Sequence, residues 1–257
     1  MHLFVSDLHL GRPGGDDRAD GAALVRLLDA HADAAALCIV GDLFDAWIEH
    51  RHYVPRPPAR LFGALAAWTD AGRRLVVHAG NHDPWHRSYL RDELGADVVF
   101  DGCAETVEGE TATARARRVY AFHGDGLASG GLYRRLRPVL RHRVPVALYQ
   151  TLLPADAGLA LARRVADAIR HDNSRPGDES FVLADAAARL ADRRDPVDGV
   201  VYGHTHRAEV RRMPGGLYAN AGAWYGGRGF VTADADGLAL ARWTDAGADM
   251  VAREAWG

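Results

Sequence analysis

Lysine is absent from this 257-residue chain, so all 31 of its basic residues are arginines. The absence excludes a lysine Schiff base or amine nucleophile, and a GC-rich coding bias accounts for it more simply than function does. Cysteine is nearly absent too. Cys38 and Cys103 are far apart, match no zinc or redox spacing, and read as core residues of a reducing compartment. Long apolar runs are also missing: stretches such as Val144 to Leu153 fall well short of the ~20 residues a membrane span needs. The opening "MHLFVSDLHLG" has no basic segment ahead of an apolar one, so no signal peptide is read and a cytoplasmic protein is expected. With 34 acidic residues the formal charge is -3, which leaves no global basic footprint and makes nucleic acid a poor default partner.

What the chain does have is enough length for a real core and a series of short apolar runs bounded by Gly, Asp or Asn. These are "LFVSD", "ALCIVGD", "RLVVHAGNHD", "VYAFHGD", "GVVYGHTH" and "LYANAGAW". Each is apolar on both faces, as central strands covered on each side are. Between the early ones lie the helical stretches "GAALVRLLDAHADA" and "PARLFGALAAWTDAG", giving β-α-β alternation and an α/β core. After Asp101 and again after Arg207 the texture changes to short antiparallel strands, which implies a second sheet. Helix-like text between residues 127 and 194 interrupts the scheme. The expected organisation is a core of residues 1–126 and 195–245, a helical cap inserted at 127–194, and a tail at 246–257.

Five strand ends carry the polar residues: Asp7 and His9 in "SDLHLG", Asp42 and Asp45 in "GDLFD", Asn81 and His82 in "GNHD", His123 in "HGD", and His204 and His206 in "GHTH". Singly, each has an ordinary explanation as a cap, a turn or a surface histidine. Together, beside glycines that permit close approach to the backbone, they point to a ligand site beyond the strand ends. Mixed carboxylate, imidazole and amide donors suit manganese, iron or zinc better than calcium. Seven donors are too many for one catalytic ion but suffice for two divalent ions sharing a carboxylate, a centre that attracts an anionic phosphoester and activates water. Alternation along an extended segment is expected to send His204 and His206 the same way, toward adjacent ions.

The ordered set D-x-H, G-D-x-x-D, G-N-H-D, H, G-H-x-H resembles the calcineurin-like metallophosphoesterase superfamily, in a match spanning Asp7 to His206. The resemblance implies a four-layer α-β-β-α sandwich. It assigns Asp7, His9, Asp42 and His206 to one metal, with Asp42 bridging to a second held by Asn81, His123 and His204. It implies that His82 contacts phosphate and protonates the leaving oxygen, with Asp45 orienting it. Manganese is the first expectation for both ions.

"GDLFDAWI", the helix after "HGD", and "GAW" are similar to one branch, the UDP-2,3-diacylglucosamine pyrophosphatases of lipid A synthesis. That branch usually has arginine where this chain has His82, and lysines in its cap. The resemblance implies hydrolysis of a UDP-linked glycolipid to UMP and a lipid phosphate; a soluble metallophosphodiesterase or phosphatase acting on nucleotides or another phosphoester, or a non-catalytic scaffold, are the alternatives. Candidate substrate contacts are Trp47, Tyr133, Arg134, Asn173 and Ser174. Eight arginines and one acid, Asp125, lie between Arg115 and Arg143. Their interleaving with Leu, Val and Tyr leads to the expectation that the cap meets an anionic membrane surface. Oligomeric state is not legible.

Overall fold

The computed structural model describes the chain except residues 51, 109–114, 128–130 and 174–179, and within its helices the side chains of 131–134, 136, 143 and 169–173. Tyr133, Arg134 and Asn173, by their side chains, and Ser174 therefore lie outside the described residues. The apolar runs form two stacked sheets. The first contains β1 (His2–Val5), β2 (Ala36–Ile39), β3 (Arg74–His78) and β4 (Asp97–Val99), all parallel. The second contains β5 (Cys103–Val107), β6 (Arg117–Phe122), β7 (Gly199–Tyr202), β8 (Glu209–Met213) and β9 (Gly216–Asn220) in the order β5-β6-β7-β9-β8, with β6, β7 and β9 parallel. The chain then returns to the first sheet as β10 (Gly229–Ala233), β11 (Gly237–Thr244) and β12 (Gly247–Ala255), which extend it antiparallel from β1.

Period-2 alternation decides which core each strand residue joins. Phe4, Cys38, Val40 and Val76 face the second sheet, where they meet Val119, Ala121, Val201 and Ala219. Leu3, Val5, Leu37, Ile39, Leu75 and Val77 face the other way, onto α1 (Asp17–Ala30), α2 (Ala59–Asp70) and α3 (Tyr89–Leu94). Fully burying a side chain of this size contributes roughly 1.5–3 kcal/mol, and a one-residue slip would forfeit it on both faces at once. On the far side, Tyr120, Val200, Tyr202 and Tyr218 pack on Val182, Ala186 and Leu190. The architecture is therefore a mixed α/β sandwich of two sheets between helical layers.

Helices α4 (Gly131–Leu140), α5 (Arg143–Leu152) and α6 (Ala155–Asn173) stand between β6 and β7. They reach the core through Leu140, Val146, Tyr149 and Ala162, which pack on Ile48 and Trp85. In contrast α7 (Ser180–Ala191), assigned by sequence to the inserted cap, packs on β7 and β9 and forms the outer layer of the second sheet. The stretch read as a tail is also structured, because β12 pairs with β11 along its length. As a largely exposed edge strand it has no apolar run to announce it. No helix among the described residues is long and apolar enough to cross a membrane.

Candidate metal centre

Asp7, Asp42, Asn81, His123 and His204 lie just past the carboxyl ends of β1, β2, β3, β6 and β7, so the parallel strands of both sheets deliver them to one edge of the sandwich. The backbone there is unusual. Asp7, His9, Asp42, His204 and His206 all have left-handed φ, between 46° and 66°, each costing a non-glycine residue about 1–3 kcal/mol. Asp7 N–H donates to the Gly41 carbonyl at 3.1 Å and His9 N–H to that of Asp42 at 3.0 Å, bonds that hold the two loops in this shape. The same geometry corrects the expectation for the histidine pair. β7 ends at Tyr202, and the two imidazoles stand on a left-handed turn, not an extended segment. They diverge: His204 meets the His123 ring at 5.2 Å, while His206 Nε2 is 3.0 Å from Asp7 Oδ1.

Glycine is obligatory where these loops touch. A Cβ on Gly80 would collide with the carboxylate and backbone nitrogen of Asp42, and one on Gly203 with Ser6 Oγ. Three residues that the sequence reading passed over set the loops. Asp83 accepts from Gly80 N at 2.8 Å and from Phe44 N at 3.1 Å, tying the "GNHD" and "GDLFD" loops together. Asn220, at the end of β9, donates to the Gly203 carbonyl at 2.9 Å and to Thr205 Oγ1 at 3.0 Å, fixing the "GHTH" turn. Asp125, fully buried, accepts from Arg137 Nε at 3.0 Å and Arg141 Nη2 at 2.9 Å. Arg141 also donates to the carbonyls of Ala79 and Gly80, and Trp85 Nε1 to that of Leu140. The end of α4 is thus clamped onto the loop that carries Asn81 and His82. Asp83 and Asp125 stood in the quoted motifs themselves; their role was invisible because it depends on loops distant in sequence.

The structure brings the predicted donors together. His9 Nε2 is 3.7 Å from Asp7 and 3.6 Å from Asp42; His123 Nε2 is 3.4 Å from Asp42 and 3.1 Å from Asn81 Oδ1. Asp42 therefore sits between the two halves of the cluster. Asp7, His9 and His206 offer donor atoms within 4.8 Å of one another, as do Asp7, Asp42 and His123. His123 Nδ1 is 2.9 Å from the Val40 carbonyl, a bond that as donor leaves Nε2 free for a ligand. Neither ring nitrogen of buried His9 makes a well-formed hydrogen bond, although carboxylates of Asp7, Asp42 and Asp45 lie 3.4–3.7 Å away, a loose spacing that leaves room for a cation among them. Oxygen and imidazole donors of this kind fit divalent metal ions.

Electrostatics agree. Burial opposes ionisation of Asp7 and Asp42, yet the surrounding imidazoles, His206 for Asp7 and His123 for Asp42, hold both carboxyls well below their usual range. Burial likewise opposes charge on His9 and His123. The neighbouring carboxylates outweigh it, Asp45 and Asp7 at His9 and Asp42 at His123, and lift both imidazoles to about 10. His204 goes the other way, to about 4, through burial and the charge of His123. The carboxylate field at this edge favours cationic partners.

His82 lies beside this cluster, its ring edge-on to His9 at 4.7 Å. Its Nδ1 is 3.0 Å from the backbone carbonyl of Asp45, while the Asp45 carboxylate is nearer His9 Nδ1 (3.4 Å) than His82 Nδ1 (3.9 Å). Asp45 thus orients His82 mainly through its backbone and braces His9 with its side chain. Trp47, a candidate substrate contact, is not at the cluster surface: it is buried and stacked on Phe44 with ring centroids 4.0 Å apart. Five of the eight arginines of the arginine-rich stretch have acidic partners. Arg115, Arg117 and Arg118 precede or lie on β6 and pair with Asp198 or Asp195, and Arg137 and Arg141 are taken by Asp125.

Two stacked sheets with convergent oxygen and imidazole donors at the carboxyl ends of their parallel strands define a metal-dependent phosphoesterase. The calcineurin-like phosphoesterase pattern matches residues 3–208, and the chain belongs to that family of hydrolases, whose membership implies divalent metal ions here. The chain is 30% identical over 266 residues to a UDP-2,3-diacylglucosamine hydrolase of Stenotrophomonas maltophilia (strain K279a), covering 98% of this chain and 99% of the relative. With the enzyme of the same name from Porphyromonas gingivalis it shares 38% identity over 112 residues, 42% of each chain. Among solved structures, Vacuolar Protein Sorting 29 from Cryptosporidium parvum superposes with a TM-score of 0.51 at 12% identity, over 99% of this chain and 97% of that one, a likeness of fold alone.

Proposed function

We propose that this protein hydrolyses the pyrophosphate bond of a UDP-linked diacylglucosamine, releasing UMP and a lipid phosphate. The observation that carries the reading is the near end-to-end similarity to a hydrolase named for that substrate, on a chain whose donor residues converge. The cap supports it as well: Val144, Leu148 and Leu152 form an i, i+4, i+8 stripe on α5 that is more than half exposed at each position, apolar surface of the kind acyl chains can cover.

In this reading Asp7, His9, Asp42 and His206 hold one manganese ion, and Asp42, Asn81, His123 and His204 the other. When bound, the ions supply Lewis-acid activation of water and stabilise charge on the phosphoryl group. His82, whose Nδ1–H donates to the Asp45 carbonyl, would act as the imidazolium and give its Nε2 proton to the leaving oxygen, against a burial that lowers its pKa. The two sheets with their flanking helices, α7 and β12 included, form the core unit, and α4, α5 and α6 cover the site. Incubating manganese-loaded protein with UDP-2,3-diacylglucosamine, dinucleotides and an aryl phosphodiester tests it. UMP released from the glycolipid alone is the expected result; turnover confined to the soluble esters would overturn the substrate.

A further inference from the structure

Arg12 and Tyr225 form a unit at the rim of the cluster that the roles above leave unused. Arg12 follows "DLHLG" on the loop between β1 and α1, and its guanidinium carbon lies 4.3 Å from the centroid of the Tyr225 ring, a cation–π stack. The Tyr225 hydroxyl is 3.2 Å from His206 Nδ1, and its ring meets those of His9 and His206 edge-on at 5.2 and 5.5 Å. One aromatic ring therefore braces two donor histidines and carries a guanidinium beside them.

The charge on Arg12 is uncommitted. Among the described residues it forms no ion pair, and its Nε is buried without a hydrogen-bond partner. The acids of its own loop are engaged with backbone: Asp16 accepts from Ala19 N at 3.0 Å and Asp17 from Gly11 N at 2.8 Å. The contrast is with Arg137 and Arg141, which are held by Asp125, and Arg228, which lies 3.7 Å from Asp20. A planar fork of donors beside a phosphoryl-binding centre matches phosphate geometry. A diphosphate diester carries a negative charge on each phosphoryl group, and the metal cluster engages the one that is attacked.

We propose that Arg12, seated on Tyr225, binds the second phosphoryl group of a diphosphate substrate and selects diphosphates over single phosphoryl groups. The inference rests on the two-metal phosphoesterase reading but not on the identity of the lipid. Calorimetry on manganese-loaded protein tests it without turnover, with methylenediphosphonate and inorganic phosphate as probes. Wild-type protein is expected to prefer methylenediphosphonate. Arg12→Ala should weaken that probe at least tenfold, the loss of one charge-assisted contact, while phosphate affinity and manganese content by mass spectrometry stay unchanged. Arg12→Lys should recover part of the loss, a point charge replacing a fork. Tyr225→Phe, which keeps the platform, should preserve the preference for methylenediphosphonate. Equal weakening of both probes, no change in either, loss of manganese in Arg12→Ala, or no preference in the wild type would each overturn the assignment. Because no glycolipid is used, failure here is separable from failure to release UMP.

Discussion

Asp125→Ala is expected to loosen the cap and lower stability by about 3 kcal/mol. Asp125 is fully buried and holds two arginines of the α4 region. Removing one partner of a buried pair costs about 3–5 kcal/mol, most of it the penalty of the stranded charge. The lower end applies here for two reasons. Arg141, 12% exposed, keeps the carbonyls of Ala79 at 3.2 Å and Gly80 at 3.3 Å, and Arg137, 29% exposed, can turn its charge toward water. In a chain of this size 1 kcal/mol corresponds to roughly 2–4 °C, so Tm should fall by roughly 6–12 °C in calorimetry. Limited proteolysis within α4–α6 should accelerate in parallel, since Arg141 and Leu140 are the links between those helices and the "GNHD" loop. A Tm loss under roughly 2 °C with an unchanged cleavage pattern would refute the clamp.

Three further outcomes follow from the same geometry. Gly80→Ala forces a methyl into the Asp42 carboxylate; overpacking of about 1–3 kcal/mol should fall on the bridging position, lowering manganese affinity while the far-UV circular dichroism stays native. His82→Gln should reduce kcat by roughly a hundredfold to ten-thousandfold with metal content unchanged, and wild-type turnover would remove His82 from the chemistry. His78 is held neutral by burial, its pKa lowered from 6.5 to about 4. Because the unfolded chain takes up that proton first, stability should be lost as pH falls from about 6.5 toward 4, by about 3 kcal/mol at most. Urea midpoints measured across that range should slope less in His78→Gln than in wild type.

Strand residues such as Leu37 to Ile39 were legible because both faces of a central strand are apolar. The donors were legible because a glycine and a short polar motif end each run. The left-handed backbone at Asp7, His9, Asp42, His204 and His206 was not: Asp and His enter that region more readily than most residues, but only the packing of one loop on another decides which of them do. For the same reason an extended reading of "GHTH" misjudged how its two rings separate. The pairing of Arg115, Arg117 and Arg118 was not legible because sequence counts charges without their partners, and Asp195 and Asp198 lie far along the chain. Trp47 looked like a ligand contact by its position after "GDLFD", yet its ring is a core element on Phe44. The outer-layer role of α7 depends on tertiary packing alone, as does the strand at residues 247–255.

Anomalous diffraction from manganese-soaked crystals addresses the central claim most directly. The account predicts two peaks about 3.5–4 Å apart, one within reach of Asp7, His9 and His206, the other of Asn81, His123 and His204, with Asp42 between them. A single peak, or ions bound away from these side chains, would contradict it.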